Sequence, residues 1–333
     1  MTKIMTVSMA AALMLAGPAP ASPTGSNGFD VVALGVRGGV VDGNLSAFMI
    51  QPHGDERALT CDAGTLTNGI KIAAGRGAFR GEEADPEQIL KKRIKGYLIS
   101  HAHLDHVAGL LIAAPDDSAK SIYALPSVNG RIESSYFNWD AWANFTDRGR
   151  APLLGKYHVV DLPVATATPV ADTAMMVTAY PLAHDGVEST AFLIETGGGA
   201  DGGAALLCLG DTGADVNEPG GKLSALWAAV ADRVKARRLK ALVIEVSYPD
   251  GRPKAQLFGH LTPELLLRSL ADLEQAAGGK GSLAGLPVIV AHIKYPIGDM
   301  QRTRKLIAGQ LKAGNSMGVR FILPDQGDRW HFR

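Results

Sequence analysis

Ile99-Ser100-His101-Ala102-His103-Leu104-Asp105-His106-Val107-Ala108-Gly109-Leu110 packs three histidines and an aspartate into six consecutive positions. It continues the apolar run Tyr97-Leu98-Ile99, which reads as the end of a buried strand. In extended backbone alternate side chains share a face, so His101, His103 and Asp105 can point one way. His106 breaks the alternation and reaches a second position beside them. Imidazole and carboxylate are good ligands for zinc and similar divalent ions. A lone histidine is usually a satisfied polar residue, but four donor groups this close at a strand end predict a metal site.

The rest of the chain repeats one theme, a polar ligand type at the end of an apolar run. Val177 to Ala183 runs into His184, Ala204 to Leu209 into Gly210-Asp211-Thr212-Gly213, and Pro287 to Ala291 into His292. A sheet converges such strand ends on one edge, which predicts a second ion beside the first. Ala58 to Cys61 ends in Asp62, and the buried run Ala241 to Val246 carries Glu245. Gly259-His260-Leu261 precedes Thr262-Pro263-Glu264, where Thr262 caps a helix and Pro263 takes its first position.

His-x-His-x-Asp-His is similar to the signature of the metallo-β-lactamase fold. The longer form, His101 to Leu110, resembles the signature of class II cyclic-nucleotide phosphodiesterases. The resemblance implies an α/β fold, a four-layer αββα sandwich, over most of residues 29–332. It implies two divalent ions, zinc by ligand type: one on His101, His103 and His184, the other on Asp105, His106 and His292, with Asp211 bridging. A hydroxide shared by the ions would attack phosphorus, with Asp105 among the catalytic groups. Gly259-His260-Leu261-Thr262 resembles a motif of the related transfer-RNA 3′-processing branch, whose histidine pairs with an upstream glutamate. That implies His260 as general acid, held by Glu245. Asp62 would orient a metal ligand. Phe137-Asn138-Trp139-Asp140-Ala141-Trp142-Ala143-Asn144-Phe145 resembles a family segment with a Phe-Asn pair and a later Trp-x-Asn, with Ala143 where proline is expected. It nominates Asn138, Trp142 and Asn144 as substrate contacts.

Composition bounds the alternatives. The chain has 333 residues, 46% of them hydrophobic and 20% charged, with zero formal net charge. That is ordinary for a globular core and lacks the basic excess of a nucleic-acid binder. Lys3, the apolar run Met5 to Gly17 and Pro18-Ala19-Pro20-Ala21 read as a secretory signal peptide over 1–21, with a single domain over 22–333. A periplasmic location follows, with no membrane anchor in the mature form. Cys61 and Cys208 each sit in an apolar strand-like run, where cysteine acts as a small hydrophobe, and two free thiols are expected.

Strands are expected at Phe29 to Val36, Leu45 to Gln51 and Lys95 to Ser100, and a helix at Val107 to Ala114. Another helix is expected at Lys222 to Arg238, and a closing strand at Val319 to Leu323. The Gly-rich stretch 196–203 joins two strands and opens no helix, so it reads as a hairpin loop rather than a phosphate cradle. Trp139, Trp142 and Phe145 fit one helical face. The leading function is hydrolysis of a small cyclic nucleotide, cyclic AMP or cyclic GMP, with a homodimer as a candidate assembly. The competing readings are another hydrolase on the scaffold (another phosphodiesterase, arylsulfatase-like or transfer-RNA-processing) and a non-catalytic zinc-binding protein.

Overall fold

The computed structural model describes residues 27–79, 84–197 and 202–333. The signal peptide read over 1–21 lies outside them. Two seven-stranded sheets pack face to face. The first runs β14-β1-β2-β3-β4-β5-β6. Its strands are β1 Phe29–Gly35, β2 Ala47–Pro52, β3 Ala58–Cys61, β4 Ile94–Leu98, β5 Lys120–Ala124, β6 Tyr157–Asp161 and β14 Arg329–Phe332. The second runs β13-β12-β11-β10-β9-β8-β7. It comprises β7 Thr168–Pro169, β8 Met175–His184, β9 Val187–Thr196, β10 Ala205–Leu209, β11 Leu239–Glu245, β12 Pro287–Ala291 and β13 Arg320–Ile322. Each sheet is antiparallel on one side of its centre and parallel on the other.

Among the described residues seven α-helices accompany the sheets: α1 Thr67–Gly75, α2 Pro86–Gln88, α3 Leu104–Ala113, α4 Pro126–Ser135, α5 Lys222–Lys235, α6 Pro263–Ala276 and α7 Met300–Gly314. A strand buried on both faces needs an unbroken apolar run, because either side meets a hydrophobic layer. β10 shows this. Leu206 and Cys208 join the core shared by the two sheets, whereas Ala205, Leu207 and Leu209 join the core under α5, α6 and α7. Trp227 of α5 fills that second layer, its Nε1 donating to Ser269 of α6 at 2.8 Å. Thr262 caps α6 by accepting from the Leu265 N–H. The αββα sandwich implied by the resemblance is the observed architecture.

Three expectations are corrected. Cys61 and Cys208 form a disulfide, with 6.7 Å between their Cα atoms. Each was read within its own strand. β3 and β10 are the fourth strands of their sheets counted from matching ends, and both cysteines face the inter-sheet core. The closing strand is β14, not the segment at 319–323. β13 only edges the second sheet, after which the chain crosses to pair β14 antiparallel with β1. The aromatic segment is no helix: α4 ends at Ser135, and the backbone beyond it is irregular to Lys156. Trp139 has a left-handed φ of 67°, and Trp139 and Trp142 are 39% and 43% exposed. Local side chains capture the backbone there. Asn138 Oδ1 accepts from the Asp140 and Ala141 N–H groups, which competes with helix formation.

The disulfide closes a loop with a sequence separation of 147, so it removes much unfolded-state freedom. Replacing both cysteines by alanine is expected to lower unfolding free energy by about 3 kcal/mol, read as a fall in the urea midpoint.

β14 is held to its neighbours by Asp30, which is buried. Its Oδ1 accepts from His53 at 2.7 Å and His331 at 2.6 Å, and its Oδ2 from Arg329 at 3.0 Å. Burial alone would raise the carboxyl's pKa, but the hydrogen bonds from His53, His331 and Arg329 outweigh it and lower the pKa. Its folded pKa therefore lies below its unfolded one. The stabilisation is complete above the unfolded value of about 3.9 and is lost as pH falls through the folded value. Asp30→Asn should be less stable than wild type at neutral pH, the gap narrowing in acid. Urea midpoints measured at both pH values check this.

Candidate active site

The site forms where strand ends of both sheets meet. β4 leads into His101 and His103, and α3 begins at Leu104, so Asp105 and His106 occupy its first turn. β8 ends in His184. β10 is followed by Asp211, β11 ends in Glu245, and β12 is followed by His292. His292 has a left-handed φ of 58°, which turns the chain away from the sheet directly after β12. Its ring packs on Gly38, where a Cβ would lie 2.4 Å from His292 Cε1, so only glycine leaves room for this imidazole.

Asp211 is the hub. Its Oδ2 lies 3.2 Å from His292 Nε2, 3.3 Å from His106 Nε2, 3.8 Å from His184 Nε2 and 3.9 Å from His101 Nε2. His101 Nε2 and His103 Nδ1 are 2.9 Å apart, and His106 Nε2 and His292 Nε2 are 3.1 Å apart. Imidazole nitrogens converge this closely when they share a cation or a proton. Their donor atoms form overlapping groups able to hold a metal, among them His101, His103 and His184; His101, His106 and Asp211; and Asp105, His106 and His292. Burial, with His106 next in weight, pushes His101 well below the ordinary imidazole value, whereas at His106 burial is outweighed by Asp211 and Asp62, which raise it well above. Burial opposes charge on Asp211, yet His292 and His106 hold its carboxyl well below the usual range.

The nitrogens that face away are also held, as metal-ligating imidazoles require. Asp62 accepts from His106 Nδ1 at 2.7 Å and from the Ser100 N–H and hydroxyl at 2.6 and 2.7 Å. His184 Nδ1 donates to Gly259 O at 2.9 Å. Asp105 Oδ2 accepts from the Gly39 N–H at 2.8 Å and lies 3.2 Å from His292 Nε2.

Beside this cluster stands a buried acid pair. His260 Nδ1 contacts Glu245 Oε1 at 2.8 Å. The Thr212 N–H donates to the same oxygen at 2.9 Å, and Ser247 Oγ to the other at 2.5 Å. Burial disfavours the Glu245 carboxylate, but the facing His260 outweighs it and lowers its pKa. Burial likewise opposes charge on His260, and Glu245 overcomes this to raise its pKa. Ser247 is a participant that sequence reasoning missed. Its Oγ also lies 3.0 Å from His292 Nδ1, so one hydroxyl joins the acid pair to the ligand cluster. Its only local signal is its place two residues after Glu245, where strand alternation returns a side chain to the same face.

The amides proposed as substrate contacts bond within their own loop. Asn144 is fully buried. Its amide donates to Arg148 O and Arg150 O, while its Oδ1 accepts from the Thr146 N–H and hydroxyl. Asn138 donates to Ser134 O besides accepting from Asp140 and Ala141. Both amides are consumed in building their own loop, and Trp142 lies on its exposed surface. The link from this region to the histidines is instead Tyr136, whose hydroxyl donates to Ala102 O at 2.8 Å.

The sequence over residues 33–327 matches the family model for class-II cAMP phosphodiesterases. The chain is 43% identical over 314 residues to the 3′,5′-cyclic-nucleotide phosphodiesterase of Aliivibrio fischeri, covering 92% of this chain and 94% of that one. Its fold is similar to that of unliganded yeast PDE1, with a TM-score of 0.80 at 21% identity over 92% of this chain and 99% of the other. It is also similar to the metallo-β-lactamase fold protein YhfI from Bacillus subtilis, with a TM-score of 0.59 at 14% identity over 91% and 99%. Two sheets flanked by helices, a histidine–aspartate cluster at their shared edge and this match along the chain agree: the protein belongs to the class-II cAMP phosphodiesterase family and has the metallo-β-lactamase fold.

Proposed function

We propose that this chain hydrolyses the 3′,5′-phosphodiester of cyclic nucleotides to nucleoside 5′-monophosphates, using two divalent ions, zinc by ligand type. The observation that carries the reading is one edge of the sandwich bearing both converging histidine and aspartate donor atoms and a buried Glu–His pair. His101, His103 and His184 would hold one ion, and Asp105, His106 and His292 the other, with Asp211 shared. When bound, such ions neutralise phosphate charge and make water ionisable near neutral pH.

The chain's own residues supply the rest. Asp62, Gly259 O and Ser247 fix the rings of His106, His184 and His292, so their ligand nitrogens are pre-oriented. Opening the ring expels the ribose 3′-oxygen, which needs a proton. His260 keeps Nδ1 on Glu245, leaving Nε2 as the nitrogen that gives a proton to the departing oxygen. The leader at residues 1–21 would carry this activity to the periplasm. Among the described residues no helix is long and apolar enough to cross a membrane.

The deciding experiment incubates zinc-loaded and chelator-treated protein with cyclic AMP, cyclic GMP, a β-lactam and an aryl sulfate. Chelator-sensitive release of 5′-monophosphate is expected, with no turnover of the lactam or the sulfate. Absence of cyclic-nucleotide turnover at millimolar substrate would sink the proposal. Undiminished turnover after chelation would sink the metal assignment.

A further inference from the structure

The Cys61–Cys208 disulfide lies against the ligand cluster. Cys61 directly precedes Asp62, and Cys208 is followed by Leu209, Gly210 and Asp211. Both cysteines are buried, and Cys61, Asp62, Cys208, Asp211, Glu245 and His292 border one small pocket. Asp62 follows a strand of the first sheet and Asp211 a strand of the second. The two carboxylates reach the same imidazole from opposite sides. Asp62 Oδ2 lies 2.7 Å from His106 Nδ1, and Asp211 Oδ2 lies 3.3 Å from His106 Nε2. His106 is thus held between the sheets. Stacked sheets ordinarily sit about 10 Å apart. The cysteine Cα atoms are 6.7 Å apart, so the disulfide joins β3 and β10 where the sheets approach closely, beside the two aspartates.

We propose that this disulfide is a positioning element of the metal centre, fixing the separation of Asp62 and Asp211 and with it the placement of His106 as a ligand. The inference rests on the metal-binding part of the proposed function and not on the choice of substrate. A hydrogen bond is lost by about 3.6 Å, so a movement of about 1 Å in β3 releases the His106 ring from Asp62. Asp62 also accepts from the Ser100 N–H and hydroxyl, so the same movement disturbs the segment that presents His101. Other contacts cross between the sheets nearby. The Thr190 hydroxyl donates to Ser100 O at 2.8 Å, and the His292 N–H donates to Val36 O at 2.8 Å. These keep the sheets associated, but neither touches Asp62 or Asp211. Loss of the disulfide therefore acts on His106 while the sandwich persists. Groups that orient a metal-ligating imidazole raise metal affinity by holding the ligand nitrogen in place.

The test measures zinc affinity by competition with a chromophoric chelator, in wild type, in Cys61→Ala/Cys208→Ala and in Cys61→Ala/Cys208→Val. The valine pair refills the core without the covalent bond, so a folded protein lacking the disulfide is compared even if the alanine pair does not fold. Circular dichroism and turnover are recorded alongside. Asp30→Asn is the control for lost stability alone. Asp30 lies near the start of β1, whereas Gly38 and Gly39, beyond its other end, contact His292 and Asp105. Both disulfide-free variants should bind zinc about tenfold to a hundredfold more weakly, with Asp30→Asn close to wild type. Excess zinc should restore most of their turnover, because every ligand remains. Wild-type affinity in a folded disulfide-free variant overturns the proposal. So does an equal loss in Asp30→Asn, which would make the effect general destabilisation, and so does turnover that stays lost at full zinc occupancy in a chain whose wild type is active. A wild type that binds no zinc refutes the metal reading and this proposal together. The expected loss of affinity in a chain whose wild type turns over no cyclic nucleotide would uphold the disulfide's role and refute the phosphodiesterase reading instead.

Discussion

Asp211→Ala is expected to abolish turnover, lowering kcat/KM for a cyclic nucleotide by at least about a thousandfold, and to release bound metal. Asp211 is almost wholly buried, and its Oδ2 is the atom on which His101, His106, His184 and His292 all converge. No other carboxylate in the described cluster touches both histidine sets. Asp105 lies on the His292 side only, and Glu245 is engaged by His260, Thr212 and Ser247. Without the carboxylate, the imidazoles would have to hold the proposed ions with less anionic compensation. Metal per chain, measured after dialysis against trace zinc, should therefore fall with activity, and excess zinc should restore little of either. Full metal content with lost activity would mean that Asp211 aligns the histidines without ligating.

His260→Ala should behave differently. Removing a general acid costs about a hundredfold to ten-thousandfold in kcat, with metal content retained. The distinction rests on the bond between His260 Nδ1 and Glu245 Oε1, which ties one nitrogen to a carboxylate instead of the ligand cluster. A competing geometry exists, because His184, Asp211 and His260 also form a group able to hold an ion. Metal analysis separates the two. If metal falls with activity, His260 is a ligand. If metal is retained, a substrate with a p-nitrophenolate leaving group should lose far less than a cyclic nucleotide, since a good leaving group needs no proton. Glu245→Gln should give a smaller defect of the same pattern, because it leaves the imidazole in place but removes the charge that favours its protonated form.

The ligand cluster was readable from residue order because its parts are local. His101, His103, Asp105 and His106 occupy one strand–helix junction, and strand alternation predicts their directions. His184, Asp211, Glu245 and His292 could be picked out because each ends or follows an apolar run buried on both faces. The capping of α6 by Thr262 and the hairpin of β9 and β10 were legible for the same reason, since neighbours in sequence make them.

What residue order left open depends on which distant strands face each other. The cysteines looked like separate small hydrophobes until β3 and β10 met across the sandwich. β14 has a strand's composition but finds its partner, β1, near the other end of the chain. The aromatic segment carried helical spacing, yet Asn138 and Asn144 bonded their own backbone and overrode it. Ser247 and His292, and likewise Ser127 with Glu188, are brought together by packing alone. Local periodicity thus pointed to an α/β chain, the resemblance to the sandwich, and ligand chemistry to the side chains whose donor atoms converge at its edge. The disulfide and the support of the histidine rings were settled only when the two sheets closed on each other, since these contacts join residues whose proximity is produced by burial of the shared core.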